Sequence, residues 1–264
     1  MVETASVGGV FKEKTVELGP RCTKHAVLIP VLNEGQTILG QLKRMRDGNC
    51  PADVILSDGG SQDGSTELKR LAQLGVRSLL VTSQPGLGAA LRHGIRYALE
   101  QGYEGVITID GNGKDGVEAI PRFVELLDEG YDFVQGSRFV AGGACQNTPL
   151  DRYFGIRWII APLMTFASGF RFTDPTNGFK GLSRNLLSDP RMALMRAELS
   201  SYNFQFYLNY RSPLLGFRVV EVPVSRVYPK LGPTPTKIVG LRHRTKLVAE
   251  FLRTIMGFYN PPRR

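Results

Sequence analysis

Short apolar runs alternate with longer amphipathic stretches between residue 25 and about residue 135. The runs have the length and composition of buried strands, and the pattern predicts five of them. The predicted strands are residues 25–32, 54–57, 76–82, 106–110 and 133–135. In the stretches between them, apolar residues recur three and four positions apart, as they do on one face of a helix. The alternation therefore predicts strand, loop and helix units that build a parallel sheet.

Polar, glycine-rich loops follow four of the predicted strands. Their sequences are Asn33-Glu34-Gly35, Asp58-Gly59-Gly60-Ser61, Pro85-Gly86-Leu87-Gly88 and Asp110-Gly111-Asn112-Gly113. In an open parallel sheet, ligands bind beyond the carboxyl ends of the strands. We therefore expect these loops to form one binding site.

The second half of the chain is less regular. It contains an apolar segment at residues 158–170, a predicted strand at 217–227 and a proline-rich loop at 229–235. A helix is predicted from about residue 241 to 256, with apolar residues on one face and basic residues largely on the other. The apolar segment is shorter than the roughly 20 residues that a membrane-spanning helix needs.

The charge of the chain is unevenly distributed. The 264 residues carry 33 Lys and Arg against 24 Asp and Glu, a net charge of +9, and their 42% hydrophobic content is that of a globular protein. Nine basic residues and one acid lie between residues 226 and 264, so the first 225 residues have a net charge of only +1. This asymmetry speaks against a nucleic-acid-binding fold and predicts a site for an anionic partner near the C-terminus. A solubilising tail is the alternative.

The sequence also bears on the cellular compartment. Three scattered cysteines, Cys22, Cys50 and Cys145, suit a reduced protein without a disulfide framework. The first 23 residues include three glutamates and lack the apolar core of a signal peptide. We therefore expect a cytoplasmic protein.

Two aspartates close predicted strands, Asp58 after the second and Asp110 at the end of the fourth. A carboxylate in this position accepts hydrogen bonds from a base or ribose, or holds a divalent cation beside a diphosphate. Turn or capping chemistry is the alternative, and for Asp58 the two interpretations weigh about equally. Gly86-Leu87-Gly88 lacks the three-glycine pattern and the place after the first strand that a dinucleotide-binding fingerprint requires.

Seven segments, in order along the chain, resemble the family 2 glycosyltransferases of GT-A fold, and among them the polyprenyl-phosphate hexose synthases such as dolichyl-phosphate mannose synthase. The segments are IPVLNE (29–34), SDGGSQDGS (57–65), GLGAALRHG (86–94), IDGN (109–112), GSR (136–138), DPTNGFK (174–180) and RVY (226–228). The resemblance implies an α/β, Rossmann-like GT-A fold with a mixed, mainly parallel sheet flanked by helices. It also implies an inverting enzyme that takes a hexose from a nucleotide-diphosphate sugar.

The resemblance implies a role for each matching residue. The nucleotide base and ribose are expected at Pro30, Leu32, Glu34 and Asp58, with Gly88 and Arg92 beside them. The diphosphate is expected at a divalent cation, Mg²⁺ or Mn²⁺, whose motif is Asp110, Gly111 and Asn112 and whose further ligand is Gln205. The donor diphosphate and the acceptor phosphate are expected to meet Arg138, Arg226 and Lys237.

The chain departs from this pattern at the metal motif. Asn112 stands where the family has its second acid, and Lys114 follows where the family often has a neutral residue. A cation held by Asp110 and Asn112 is expected to bind weakly unless Asp115 or Gln205 helps. Lys114 either supplies part of the missing positive charge or is a solvated loop lysine.

Two acceptors remain open. A polyprenyl phosphate is already ionised and needs only cations to bind it, as the basic C-terminal segment favours. A saccharide or small-molecule hydroxyl would need a base, for which Asp174 is the candidate, although a structural role in the turn at Asn177-Gly178 is the stronger interpretation of that acid. A non-catalytic anion-binding module and a nucleotidyltransferase are the remaining alternatives.

The predicted organisation is an N-terminal extension (1–24), a GT-A catalytic domain (25–236) and a basic amphipathic C-terminal helix and tail (237–264). The apolar segment and the basic helix suit a protein that lies on the cytoplasmic face of a membrane. Packing of the helix on the sheet or on a second subunit, as in a homo-oligomer, is the alternative.

Overall fold

The computed structural model describes residues 2–6, 13–228 and 240–262. The strands in these residues are β1 (Val2–Ser6), β2 (Glu13–Glu17), β3 (His25–Val31), β4 (Asp53–Asp58), β5 (Val76–Thr82), β6 (Gly105–Thr108), β7 (Phe133–Ser137), β8 (Ala144–Gln146), β9 (Lys180–Ser183), β10 (Val219–Pro223) and β11 (Ser225–Val227). The α-helices are α1 (Gly35–Asp47), α2 (Leu68–Gln73), α3 (Leu87–Glu100), α4 (Ile120–Asp128), α5 (Leu150–Gly155), α6 (Ala161–Ser168), α7 (Arg184–Ser188), α8 (Asn203–Leu214) and α9 (Gly240–Ile255). A 3₁₀ turn, Val117–Ala119, precedes α4, and a π-helical turn, Ile156–Ile160, joins α5 to α6.

A large mixed sheet forms the centre of the molecule. Its strand order in the described residues is β1-β2-β5-β4-β3-β6-β9-β7-β10. Strands β5, β4, β3 and β6 run parallel to one another, as do β7 and β10. Strand β9 is antiparallel to both of its neighbours, and the β1–β2 hairpin joins β5 in antiparallel orientation. This arrangement confirms the expected mixed, mainly parallel sheet flanked by helices.

The central strands are apolar because helices cover both of their faces. Alternate residues of β3 point to opposite sides, so Leu28 belongs to one apolar cluster and Val27 and Ile29 to the other. Helix α3 contributes Leu91 and Ile95 to the first cluster, while α1 contributes Ile38 and Leu42 to the second. The long apolar runs of the sequence are therefore buried parallel strands.

The predicted strands are found close to their expected positions, with one clear correction. The segment predicted as one strand at 217–227 is two strands, since β10 joins the large sheet and β11 pairs with β8 in a separate two-stranded sheet. Strands β1, β2, β8 and β9 were not predicted. Strand β2 has only one buried residue, Val16, and β9 begins with a lysine, so neither has the apolar pattern of a strand.

The chain from α5 to α6 is one irregular helical rod, and it carries part of the apolar segment noted in the sequence. Helix α6 ends at Gly169, whose left-handed conformation (φ 73°) lets the chain turn away. Helix α9 packs on α8 and α6, with Phe251 edge-on to Phe206 at 5.4 Å between ring centroids. Within the described ranges, no helix combines the length and apolarity needed to cross a membrane.

Candidate active site

The loops after β3, β4, β5 and β6 meet at one edge of the sheet, as expected. Together with parts of α5, α8 and α9 they surround a cavity of about 860 Å³. One end of this cavity is lined by charged and polar groups, and the other by apolar side chains.

The loop after β6 is fixed by Gln41, a buried residue of α1. The Nε2 amide of Gln41 donates to the backbone oxygen of Asp110 at 3.0 Å, and its Oε1 accepts from the backbone N–H of Gly113 at 3.0 Å. A Cβ at Gly111 would approach the backbone oxygen of Pro30 at 3.1 Å. The Asp110 loop is therefore held rigidly against the end of β3.

Arg226 joins two carboxylates at the charged end of the cavity. Its Nη1 donates to both carboxylate oxygens of Asp115, at 2.7 and 2.6 Å, and its Nη2 donates to Asp110 Oδ2 at 3.0 Å. All three side chains lie close to the short bridge between residues 115 and 226 that connects the Asp110 loop to β11. The basic segment of the sequence thus enters the site through a buried arginine.

These contacts shift the pKa values of the paired groups. Burial alone would raise the pKa of Asp110, but Arg226 and Lys114 outweigh it and hold that pKa below its usual range. Burial opposes the charged form of Arg226, yet Asp115 and Asp110 raise its pKa well above the ordinary value. Both groups are therefore charged at neutral pH.

A second buried ion pair lies beside the first. Arg138 Nε and Nη2 donate to the two oxygens of Asp174 at 2.6 and 2.8 Å, and the Asp174 side chain is fully buried. Glu221 in turn accepts from the backbone N–H groups of Thr173 and Asp174. Asp174 therefore orients Arg138, whose side chain lines the cavity.

A small space between Asp110 and Gln205 exists because residue 178 is glycine. A Cβ at Gly178 would lie 2.7 Å from Asp110 Oδ1 and 3.1 Å from Gln205 Nε2. Asn112 Nδ2 donates to Asp110 Oδ2 at 3.2 Å. One carboxylate and one side-chain amide thus border this space, and a second amide binds the other oxygen of the same carboxylate.

Lys114 is a buried wall of the cavity. Its side chain is only 5% exposed, and its Nζ lies 5.0 Å from the centre of the Tyr228 ring. The interpretation of Lys114 as a solvated loop residue is therefore wrong.

The helical elements give the cavity an apolar lining, with Asp151, Arg152 and Arg244 as its charged members. The helical rod contributes Gly155, Ile156 and Ile160 to it, and α9 contributes Leu247, Val248 and Phe251. An exposed ion pair between Arg244 and Asp151, at 2.9 Å, connects α9 to α5 at the mouth. The cavity therefore leads from a charged end to a groove between two helical elements.

The sequence matches a family model described as glycosyl transferase family 2 over residues 26–189. The chain belongs to glycosyl transferase family 2. The match spans β3 to α7 and includes the Asp110 loop, Arg138 and the Asp174 turn.

Named relatives of this family match most of the chain. An undecaprenyl-phosphate mannosyltransferase of Micrococcus luteus is 33% identical over 78% of this chain and 84% of its own length. A polyprenol monophosphomannose synthase of Mycolicibacterium smegmatis is 29% identical over 85% of each chain.

The fold is also found among solved structures. Glucosyl-3-phosphoglycerate synthase from Mycobacterium tuberculosis, in complex with Mn²⁺, UDP and phosphoglyceric acid, superposes with a TM-score of 0.62 at 18% identity. The match covers 91% of this chain and 80% of that one. This likeness shows that the family 2 chain has the fold of a nucleotide-sugar transferase.

The structure brings most of the expected site residues to the cavity wall. Those that line it are Pro30, Leu32, Glu34, Asp110, Gly111, Asn112, Arg138, Gln205 and Arg226. Lys237 lies outside the described residues. Among the described residues that form the wall, Asp58, Gly88, Arg92 and Asp174 do not appear.

Each of these four residues has another position and another partner. Asp58 accepts from the backbone N–H groups of the turn at 60–61, which is the capping role that the sequence left open. Gly88 faces the backbone of residues 199–201, and Arg92 donates to the backbone oxygen of Met195 beside a separate, small cavity. Asp174 is bound by Arg138, and it is fully buried behind the cavity wall.

Sequence reasoning gave no role to several residues that build the site. Gln41 gave no signal, because a glutamine in an amphipathic helix is normally exposed. Tyr228 was noted only as part of a matching segment, yet it is buried and lines the cavity between Lys114 and Arg226. Asp115, considered as a metal ligand, is fully buried and bound by Arg226.

Proposed function

We propose that this family 2 glycosyltransferase moves a hexose from a nucleotide-diphosphate sugar to a polyprenyl phosphate, with inversion at the anomeric carbon. The observation that carries the proposal is the shape and chemistry of the cavity. A charged end with Asp110, Arg138 and Arg226 continues into an apolar groove between the helical rod and α9. The names of the Micrococcus and Mycolicibacterium relatives support the same class of acceptor.

The reaction is a displacement at the anomeric carbon. An oxygen of the acceptor phosphate forms the new bond to that carbon, while the bond to the donor diphosphate breaks and its electron pair leaves with the nucleoside diphosphate. A phosphate monoester is ionised at neutral pH, so this attack needs no general base. The engagement of Asp174 with Arg138 favours this acceptor over a hydroxyl, which would require a base.

The residues around Gly178 fit a divalent cation, although weakly. Asp110 Oδ1 borders a space that a Cβ would fill, and oxygen donors suit Mg²⁺ and Mn²⁺. The amides of Gln205 and Asn112 turn their nitrogens toward Asp110, so each would have to present its oxygen to act as a further ligand. Only one of the three is a carboxylate, and the described part of the chain contains no cluster of three or more acids, histidines or cysteines suited to a metal. When bound there, the cation would neutralise part of the charge on the donor diphosphate.

The chain's own residues do the remaining work. Arg138 and Arg226 place positive charge at the end of the cavity where the phosphates would lie, and both are prepositioned by buried carboxylates. Leu32 and Glu34 line the opposite wall, where the nucleoside is expected. The apolar groove is the expected site of the first isoprene units of the acceptor.

We place the protein at a membrane surface during this reaction. The outer face of the helical rod carries large exposed apolar side chains, with Trp158 72% and Phe166 91% exposed. Arg157 and Arg253 are exposed on the rod and on α9 and would favour an anionic leaflet. Because the inner face of the same rod lines the cavity, an acceptor anchored in the leaflet would enter the groove directly.

The proposed function is tested by offering the purified full chain a panel of UDP-sugars and GDP-sugars with Mn²⁺. The acceptors are a short polyprenyl phosphate and a set of saccharides. We expect a sugar phospholipid and one nucleoside diphosphate per transfer, with loss of about a hundredfold or more in Asp110→Asn. A product on saccharides alone, or release of pyrophosphate, would contradict the proposal.

A further inference from the structure

Lys114 lies at the charged end of the cavity but is assigned no role by the expected metal motif. It follows Asn112 by two residues, and both line the cavity. Its ammonium and the Arg226 guanidinium lie over the same Tyr228 ring, 5.0 and 5.8 Å from the ring centre. The chain therefore combines two departures at one place, a missing carboxylate at 112 and an added cation at 114.

The backbone around Lys114 is held from both sides. Its N–H donates to Asn112 Oδ1 at 3.3 Å, and its carbonyl oxygen accepts from the N–H of Val227 at 2.9 Å. The ammonium lies over the ring of Tyr228, which is itself buried. Such fixing keeps the side chain at the cavity wall rather than in solvent.

The surrounding charges indicate which ligand would suit this lysine. Three cations at this end, Lys114, Arg138 and Arg226, are matched by three carboxylates, Asp110, Asp115 and Asp174. Two of those carboxylates are fully buried and bound by the arginines. These charges cancel, so a diphosphate would add an excess of negative charge, and one divalent cation would balance two of those charges.

We propose that Lys114 contacts the diphosphate of the donor and neutralises part of its negative charge. In a site with a second carboxylate, a more tightly bound metal would neutralise that charge. This rests on the proposed function, since it assigns the lysine to the leaving group of that reaction. As the bond from the anomeric carbon to the diphosphate oxygen breaks, negative charge grows on that oxygen. The Lys114 ammonium stabilises it by a charge-assisted hydrogen bond, and the proton stays on the lysine.

The test measures nucleotide and metal binding, so it does not depend on transfer. Calorimetry is run with UDP and GDP, and with UMP and GMP, in the presence and absence of Mn²⁺. Lys114→Gln removes the charge, Lys114→Met removes it while keeping a long side chain, and Lys69→Gln is the control on the exposed face of α2. Thermal unfolding confirms that each variant is folded.

We expect the charge-removing variants to bind the better of the two diphosphates about tenfold to a hundredfold less tightly, the range of one charge-assisted hydrogen bond. Binding of the matching monophosphate should change by less than about threefold, because it lacks the leaving phosphate. Mn²⁺ alone should bind more tightly to both variants, since one positive charge beside Asp110 is gone. Lys69→Gln should match the wild type throughout.

Opposite responses to diphosphate and to Mn²⁺ distinguish this role from a structural one. Equal losses for diphosphate, monophosphate and Mn²⁺, or no change in any of them, would overturn the assignment of Lys114. If the variants lose affinity for the diphosphate alone but the wild type transfers no sugar, the assignment of Lys114 stands and the proposed function is overturned. If the wild type transfers sugar and the variants bind normally, the proposed function stands and the assignment of Lys114 is overturned.

Discussion

Arg226 has a structural role as well as a place in the site, and this alters what its removal would do. Its guanidinium binds the fully buried Asp115 through Nη1, and Asp110 through Nη2. Without it, Asp115 becomes a buried carboxylate with no guanidinium partner. An effect on stability therefore accompanies any effect on phosphate binding.

We expect Arg226→Ala to lower the free energy of unfolding by about 3–5 kcal/mol, the usual result of breaking a buried ion pair on one side. The measurement is urea unfolding followed by circular dichroism. Arg122→Ala is the matched control, because both side chains of its ion pair with Glu125 are exposed and the pair should contribute no more than about 1 kcal/mol. Similar losses in the two variants would contradict the buried role of Arg226.

Lys180 is another buried basic residue, two positions after Gly178. Its Nζ donates to Gln135 and to Asn209 Oδ1, which joins β9 to β7 and α8. Burial lowers the pKa of this lysine from 10.5 to about 7. Between these two values the unfolded chain holds a proton that the folded chain has lost, so this group makes stability rise with pH.

We expect the difference in unfolding free energy between wild type and Lys180→Met to depend on pH in one direction. The unfolding free energy of the wild type minus that of Lys180→Met should be constant below about pH 7. It should rise from pH 7 to 9, since only the wild type has the lysine with the lowered pKa. Urea titrations at pH 6, 7, 8 and 9 provide the measurement. Lys69→Met, at an exposed lysine, should show a constant difference, and a constant difference for Lys180→Met would exclude the lowered pKa.

At the scale of elements, the sequence predicts the parallel strands well because they are buried on both faces. Strand β5 was predicted at the residues where it occurs, and β3 and β4 within one or two residues of their ends. The antiparallel strands β2 and β9 were not predicted, for a physical reason. Strand β2 is mostly polar because it lies toward the sheet edge, and β9 contains Lys180 and Gly181, whose pairing is stabilised by partners far along the chain.

Helix α3 shows that Gly88, which was expected beside the nucleotide, has a packing role. A Cβ at Gly88 would lie 2.4 Å from the backbone oxygen of Leu199 and 2.8 Å from that of Ser201. Ala89 also donates its backbone N–H to the oxygen of Ser200 at 3.1 Å. Helix α3 therefore approaches the loop before α8 more closely than any side chain would allow.

We expect Gly88→Ala to destabilise the protein by about 1–3 kcal/mol, as overpacking against rigid backbone does. Gly40→Ala is the matched control in α1, where a Cβ would meet no atom within 4 Å. That change should stabilise the protein by about 0.5–1 kcal/mol, because alanine favours the helix. Thermal and urea unfolding measure both, and a neutral Gly88→Ala would contradict the close approach.

At the scale of the whole molecule, the site combines residues that the sequence keeps far apart. Asp110 was foreseeable because it closes a predicted central strand, and Asn112 was assigned through the resemblance to the family's metal motif. Their partners Arg226 and Gln205 were identified only through resemblance, since a sequence gives no distance between segments about a hundred residues apart. The pairing of Arg226 with Asp115 depends on β11 leaving the large sheet, which no local pattern predicts.

The uneven charge of the chain also has a structural counterpart. In the nearly neutral body, buried arginines are matched by carboxylates, as at Arg138 and Asp174. Exposed arginines lie instead on α9 and on the helical rod, and one of them, Arg244, lines the cavity. Positive charge beside exposed apolar side chains is the combination found on proteins that lie on anionic membranes.

Trp158 makes this surface directly measurable, because it is the one tryptophan of the chain. With its side chain 72% exposed, its fluorescence should shift to the blue and intensify when it enters an anionic vesicle. Phe166→Ser keeps the probe and removes the most exposed aromatic ring of the rod, so we expect vesicle affinity to fall about tenfold. Leu214→Ser is the control. Leu214 is also exposed, but it is the last residue of α8, at the opposite end of that helix from Gln205.

The measurement is a titration with phosphatidylglycerol vesicles at low and at physiological salt. Binding should weaken as salt rises, because the flanking arginines contribute about 1 kcal/mol each near an anionic surface. If the Trp158 signal were unchanged by vesicles and shifted with protein concentration instead, the same apolar face would be an interface between two copies of the chain. Sedimentation would then show a dimer that Phe166→Ser weakens and Leu214→Ser does not, and membrane docking through this face would be excluded.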